Sequence, residues 1–123
     1  MQFRPTVSEL LEDVAALLED DVLDAVPGAL QHRVRVAAHL LRVVEREVRL
    51  GPVADADERE RLALLFGDYE ADLGTLRTRL AARLSEPEPL GRPFERSIYD
   101  ALMATVRADL TISKPGYDTG ASE

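Results

Sequence analysis

The residues best suited to chemistry lie on one helical stretch. His32, Arg35, His39, Arg42, Arg46 and Arg49 are separated by 3, 4, 3, 4 and 3 positions. At about 100° per residue they share one helix face. A ridge of this kind can hold a carboxylate, a phosphate or the acidic surface of a partner, because arginine forks onto such groups with two parallel hydrogen bonds. The two histidines add a pH-dependent component near neutrality. His32, Arg35, His39, Arg42 and Arg46 are therefore the candidate ligand- or partner-binding residues. Two ordinary readings compete with that role. The arginines can pair with acids inside the fold, or they can form a solvated face.

Intramolecular pairing has an obvious source. Residues 9–24 contain seven acids (Glu9, Glu12, Asp13, Glu19, Asp20, Asp21 and Asp24) and no base. The next segment carries Arg33, Arg35, Arg42, Arg46 and Arg49 against Glu45 and Glu47. The neighbouring segments thus carry −7 and +3. Joined by a short turn, they should lie side by side, and exposed pairs of this kind contribute only ~0–1 kcal/mol each.

Other reactive constellations are weak. His32 and His39 are too far apart to share one metal ion, and no HExxH pattern is present. The run from Asp68 to Gly74 resembles a calcium loop but has its glycine one position late and Arg79 at the twelfth position, where a bidentate glutamate is needed. It reads better as a polar helix start. Ser8, Ser85, Ser97 and Ser113 lack a nucleophile elbow. No catalytic residue, metal site or cofactor is assigned, and the chain is not expected to be an enzyme. Tyr117 is a C-terminal contact candidate, whose ring would cover apolar surface at the end of the last helix. Its alternative is a tyrosine in a disordered tail.

The elements that position these residues are helical. Thr6 and Glu9 have capping-box spacing. After them Val7, Leu10, Leu11, Val14, Leu17, Leu18 and Val22 form a stripe that runs toward the Pro27-Gly28 break. A second helix spans about 29–50 and stops at Gly51-Pro52, with Leu30, Val34, Ala37, Leu41, Val44 and Val48 on its apolar face. A third starts near Asp55–Asp57 and carries Leu62, Leu65 and Phe66. Gly67-Asp68 favours a turn before a fourth helix with Leu73, Leu76, Leu80 and Leu84, although one long kinked helix remains an alternative. Residues 85–93 contain three prolines and form a loop. A fifth helix then carries Ile98, Leu102, Val106 and Leu110 and ends at Pro115-Gly116. The expected fold is all-α, an antiparallel four- to five-helix bundle, with one domain over 1–114 and a flexible tail over 115–123.

The 123 residues, 46% hydrophobic and 31% charged, suit one globular domain. The net charge of −8 opposes general nucleic-acid binding. The absence of cysteine excludes disulfides and thiolate chemistry. No apolar run is long enough for a membrane span, and the N-terminus lacks a signal-peptide core, so a cytoplasmic location is expected.

The run Arg33-Val-Arg-Val-Ala-Ala-His-Leu-Leu-Arg-Val-Val-Glu-Arg-Glu47, with Gly51-Pro52 after it, resembles the central helix of an uncharacterised bacterial family of unknown function. Pro5-Thr-Val-Ser-Glu-Leu-Leu-Glu12, Leu62-Ala-Leu-Leu-Phe-Gly67 and Lys114-Pro-Gly-Tyr117 are similar to that family too. His39 stands where the family's asparagine is expected, and Lys114 where its ending reads Asn-Pro. Members are small and often encoded beside aminoglycoside-phosphotransferase-like kinases and acyl-CoA dehydrogenases. The resemblance implies context and no mechanism. With the lack of a catalytic constellation it leads to the expectation of a non-enzymatic accessory protein that binds a kinase-like or acyl-CoA dehydrogenase-like partner. A homodimer is a further expectation, because two-fold dimers are common. The alternative is a small module that holds an anionic ligand, such as acyl-CoA or phosphate, on the second helix's basic face.

Overall fold

The computed structural model describes residues 4–116. Among them the structure is all-helical: α1 (Val7–Leu17), α2 (Gly28–Phe66), α3 (Leu73–Ser85) and α4 (Arg92–Ser113). Two compact units divide the chain, one up to Gly51 and the other from Pro52, and α2 contributes to both.

In the first unit the capping box forms as the sequence requires. The Glu9 N–H donates to Thr6 Oγ1 and the Thr6 N–H to Glu9 Oε1, both at 3.1 Å. The helix does not stay regular up to Pro27. It widens to a π turn over Leu18–Val22 and tightens to a 3-10 turn over Leu23–Ala25. Glu19, Asp20, Asp21 and Asp24 crowd this C-terminal end, where negative charge opposes the helix dipole and like charges repel.

The break expected at Gly51-Pro52 is absent. α2 runs for 39 residues with Pro52 inside it. Proline removes one i→i−4 hydrogen bond and normally forces the preceding residue out of the helical region, through a clash with that residue's Cβ. Gly51 has no Cβ, so part of that clash disappears and the helix continues. Asp55 and Asp57 consequently sit exposed in mid-helix instead of capping a new one.

The inward rows also differ from the expected stripes. α1 turns Ser8, Leu11, Ala15, Leu18 and Val22 inward, with Ala15 fully buried. Val7, Leu10, Val14 and Leu17, from the same stripe, are exposed. In α2, Gln31, Val34, Ala38, Leu41 and Glu45 face inward, whereas Leu30, Ala37, Val44 and Val48 are exposed. The packing face has rotated off the apolar stripe toward the basic ridge, and its most buried members are Ala15, Ala38 and Glu45.

The second unit has a conventional core. Leu62, Ala63, Leu76, Leu80 and Ile98 are buried together, with Leu65, Phe66, Leu73, Leu90 and Phe94 packed around them. Phe66 and Phe94 meet edge to face at 6.4 Å, a favourable aromatic geometry. The turn favoured at Gly67-Asp68 is present. Gly67 has φ +66°, and the Asp68 N–H reaches the Ala63 carbonyl at 3.0 Å, which closes α2 with a Schellman-type cap. Asp72 then caps α3 by accepting from the Thr75 N–H at 2.7 Å. α4 buries Ile98 and Ile112 and half-buries Ala101, Thr105 and Ala108 between them. Leu102 and Val106, expected in its core stripe, are exposed.

Candidate functional site

The first unit of α2 positions the ridge, and α1 lies against one margin of it. Arg42 forks onto Glu19, with Nε 3.2 Å from Oε1 and Nη2 closer still. This hydrogen bond holds the Glu19 carboxyl below its ordinary value and the Arg42 guanidinium above its own. The pair joins the acidic first segment to the basic second one, as the charge asymmetry predicts. Arg49 instead pairs within its own helix. Its Nε lies 2.8 Å from Glu45 Oε2 and its Nη2 3.3 Å from Oε1.

Glu45 is the residue that sequence reasoning missed. It is only 5% exposed, at the C-terminal end of the inward row. Ser8 Oγ donates to the same Oε2 that Arg49 holds. The Arg49 hydrogen bond first, then that of Ser8, keeps the carboxyl well below the usual glutamate range, and Arg46 adds a smaller electrostatic contribution. A buried carboxylate persists only when donors surround it, so these contacts explain its place. The signal was its 3-4 spacing with Val34, Ala38 and Leu41, which puts it in the row that faces α1.

The remaining ridge residues divide. Arg46 is half-buried close to Glu45. His32, Arg35 and His39 are exposed and make no hydrogen bond or ion pair among the described residues. The five candidate residues therefore do not act as one surface: Arg42 is engaged by α1, and the N-terminal three face solvent. Tyr117 lies outside the described residues.

In the second unit the charged side chains are mostly structural. Arg77 forks onto Glu58, with Nε 2.9 Å from Oε2, and has Asp55 at 3.8 Å. Arg59 donates to the backbone carbonyls of Ala71 and Tyr69, which ties the turn after α2 to that helix. Asp68 accepts from Arg79 Nη1 at 2.9 Å and from the Glu70 and Ala71 N–H groups, and the Arg79 bond does most to hold its carboxyl low. These contacts use Asp68 and Asp72 as turn and cap acceptors, as expected for a polar helix start. No cluster that could hold a metal ion occurs among the described residues.

One open cleft of about 410 Å³ in this unit is lined by Arg61, Leu64, Leu65, Phe94, Ser97 and Asp100. Arg61 Nη2 donates to Thr105 Oγ1 at 3.1 Å, while its Nε is buried without a partner. The cleft thus brings a cation, a carboxylate and apolar walls together.

No helix among the described residues is long and apolar enough to cross a membrane. No curated protein and no solved structure matches the chain. A family profile matches residues 24–117 and leaves the opening Pro5–Glu12 segment, which holds the start of α1, outside the match. Through that match the chain belongs to DUF6285, a family defined by a domain of unknown function.

Proposed function

We propose that this chain is a non-enzymatic helical accessory domain that works by docking protein surfaces on outward apolar helix faces. The observation that carries the reading is the number of large apolar side chains outside the cores, at helical spacing. Val7, Leu10, Val14 and Leu17 on α1, and Tyr99, Leu102 and Val106 on α4, are all exposed. Scattered exposed leucines are ordinary, but aligned rows mark interaction faces. The proposed partner is a phosphotransferase-like or acyl-CoA dehydrogenase-like protein, docked on the α4 row. The proposed arrangement is an antiparallel helical bundle. In the first unit the ordering of contacts supports it, since Ser8 meets Glu45 and the later Glu19 meets the earlier Arg42. A cytoplasmic location fits this role.

Mixing the purified chain with candidate partners of both types, followed by size-exclusion chromatography, tests the docking reading. A co-eluting complex is expected, and the double variant Leu102→Glu/Val106→Glu should lose it. If neither partner type co-elutes, the accessory reading fails. A second reading, an anionic-ligand module for acyl-CoA or phosphate, is favoured by the solvent-facing His32, Arg35 and His39. Calorimetric titration with coenzyme A and with inorganic phosphate checks it. Binding that is unchanged in Arg35→Ala/His39→Ala overturns it.

A further inference from the structure

Four arginines of the second unit are half-buried: Arg59, Arg61, Arg79 and Arg83. Three of them meet acceptors suited to a guanidinium. Arg79 pairs with Asp68, Arg83 pairs with Glu86, and Arg59 takes the carbonyls of Ala71 and Tyr69. Arg61 differs. Among the described residues it forms no ion pair, and its hydrogen-bond partner is a hydroxyl, Thr105 Oγ1 at 3.1 Å. A guanidinium has five N–H donors, and the Nε–H of Arg61 is buried with nothing to accept it. A cation partly withdrawn from water calls for a counter-charge, and no carboxylate of the described residues reaches this one.

The cleft of the second unit is built around this side chain. Leu64, Leu65, Phe94 and Ala101 give it apolar walls, and Leu64 is 71% exposed. Its volume of about 410 Å³ falls within the range of small-ligand pockets, about 300–1,000 Å³. The other polar groups offer an anion no donor. Ser97 Oγ donates to the Pro93 carbonyl at 3.0 Å, and Thr105 Oγ1 donates to that of Ala101 at 3.2 Å. Asp100 is itself negative and pairs with Arg96 at 3.4 Å. Arg61 is therefore the anion-binding side chain of the lining.

Acids limit the charge it can accept. Asp57 and Glu60 line an adjoining groove that shares Arg61 and Leu64 with the cleft, and Asp100 belongs to the cleft wall. One carboxylate is balanced by the guanidinium. A phosphate dianion would bring a second negative charge among three acids, which like-charge repulsion opposes.

We propose that the cleft binds a small monocarboxylic acid with an apolar body. Thr105 fixes the guanidinium, and its remaining Nη1 and Nη2 donors present the planar pair that a carboxylate takes. The body of the acid lies against Leu64, Leu65, Phe94 and Ala101. This site uses no residue of the basic ridge or of the α4 docking row, so it stands independently of the docking reading.

Titration of the full chain with phenylacetate and with hexanoate, followed by amide NMR shifts, tests the site. Saturable binding at about 1 mM or tighter is expected for at least one acid, with shifts centred on Leu64, Ser97, Ala101 and Thr105. Phenylethanol, which lacks the charge, and inorganic phosphate, which lacks the body, should each bind at least about tenfold more weakly. Arg61→Gln should abolish saturable binding. Because Arg61 also ties α2 to α4, that variant can lose its fold, and Leu64→Glu at an exposed position gives a second arm. It sets a carboxylate one turn from Arg61 and should weaken binding at least about tenfold, with the helical circular dichroism retained. No saturable binding of either acid up to about 10 mM overturns the proposal. So do phenylethanol or phosphate binding as tightly as the acids, shifts centred elsewhere, or binding unchanged in Arg61→Gln or in Leu64→Glu.

Discussion

Each unit buries an alanine and a carboxylate, but only the second buries large apolar side chains completely. The second unit encloses Leu62, Leu76, Leu80 and Ile98, and surrounds them with Leu65, Phe66 and Phe94. The first fully buries Ala15, Ala38 and the carboxylate Glu45, and keeps Leu10, Leu17 and Leu40 outside. Burying a leucine contributes about 1.5–3 kcal/mol and an alanine much less. The second unit therefore gets its stability from within its own chain. The first buries only small or polar residues completely, half-buries Leu11, Leu18 and Leu41, and leaves Leu10, Leu17 and Leu40 exposed. Apolar content alone does not identify a core, because the same leucine can be internal cement or an outward contact.

Four substitutions sharpen or break this contrast. The largest effect is expected for Leu76→Ala, since Leu76 is fully buried in the second unit. A loss of about 2–5 kcal/mol is predicted, read by urea denaturation. A loss within experimental error would remove the distinction between the units. Next, Ala38→Leu in the first unit should cost about 1–3 kcal/mol, because the close contact of α1 and α2 has no room for three more carbons. If it stabilises the chain instead, the inward row is looser than the packing indicates. Thr6→Ala removes half of the capping box and should cost about 1 kcal/mol, visible as a lowered thermal midpoint.

The smallest effect is a pH dependence located in the first unit. Arg49 and Ser8 depress the Glu45 carboxyl in the folded chain. A depressed folded value means stability that is fully present above the ordinary glutamate range and is lost as the pH falls through the folded value. Glu45→Gln cannot ionise or pair with Arg49. Its deficit relative to wild type should be largest near neutrality and shrink on acidification, as followed by denaturation at a series of pH values. A deficit that is constant with pH would show that the carboxylate charge contributes nothing.

Much of the fold was legible because it rests on local rules. The Thr6–Glu9 box, the turn at Gly67 and the helix start around Pro93 each depend on a few neighbouring residues with one favourable geometry. Pro52 was misleading for a physical reason: the penalty it imposes acts partly through the side chain before it, and Gly51 has none. The candidate site was legible in composition but not in partnership. The alternation of His32, Arg35, His39, Arg42, Arg46 and Arg49 showed one charged face, and the acidic segment beside it foretold an ion pair. Only the packing showed that Arg42 takes Glu19, that Arg49 takes Glu45, and that His32, Arg35 and His39 face solvent.

By itself the sequence determined that the chain is helical, where most of its helices start and stop, and that its first two helical segments carry opposite charge. Those properties follow from periodicity, capping and composition, which act within a few residues. Tertiary structure decided which of two adjacent rows on each helix turns inward. Both rows satisfy the same helical period, so the choice depends on which residues end up buried, Ala15 and Ala38 among them, and on the ion pair that joins α1 to α2. Such contacts are made across tens of residues, and no local pattern encodes them.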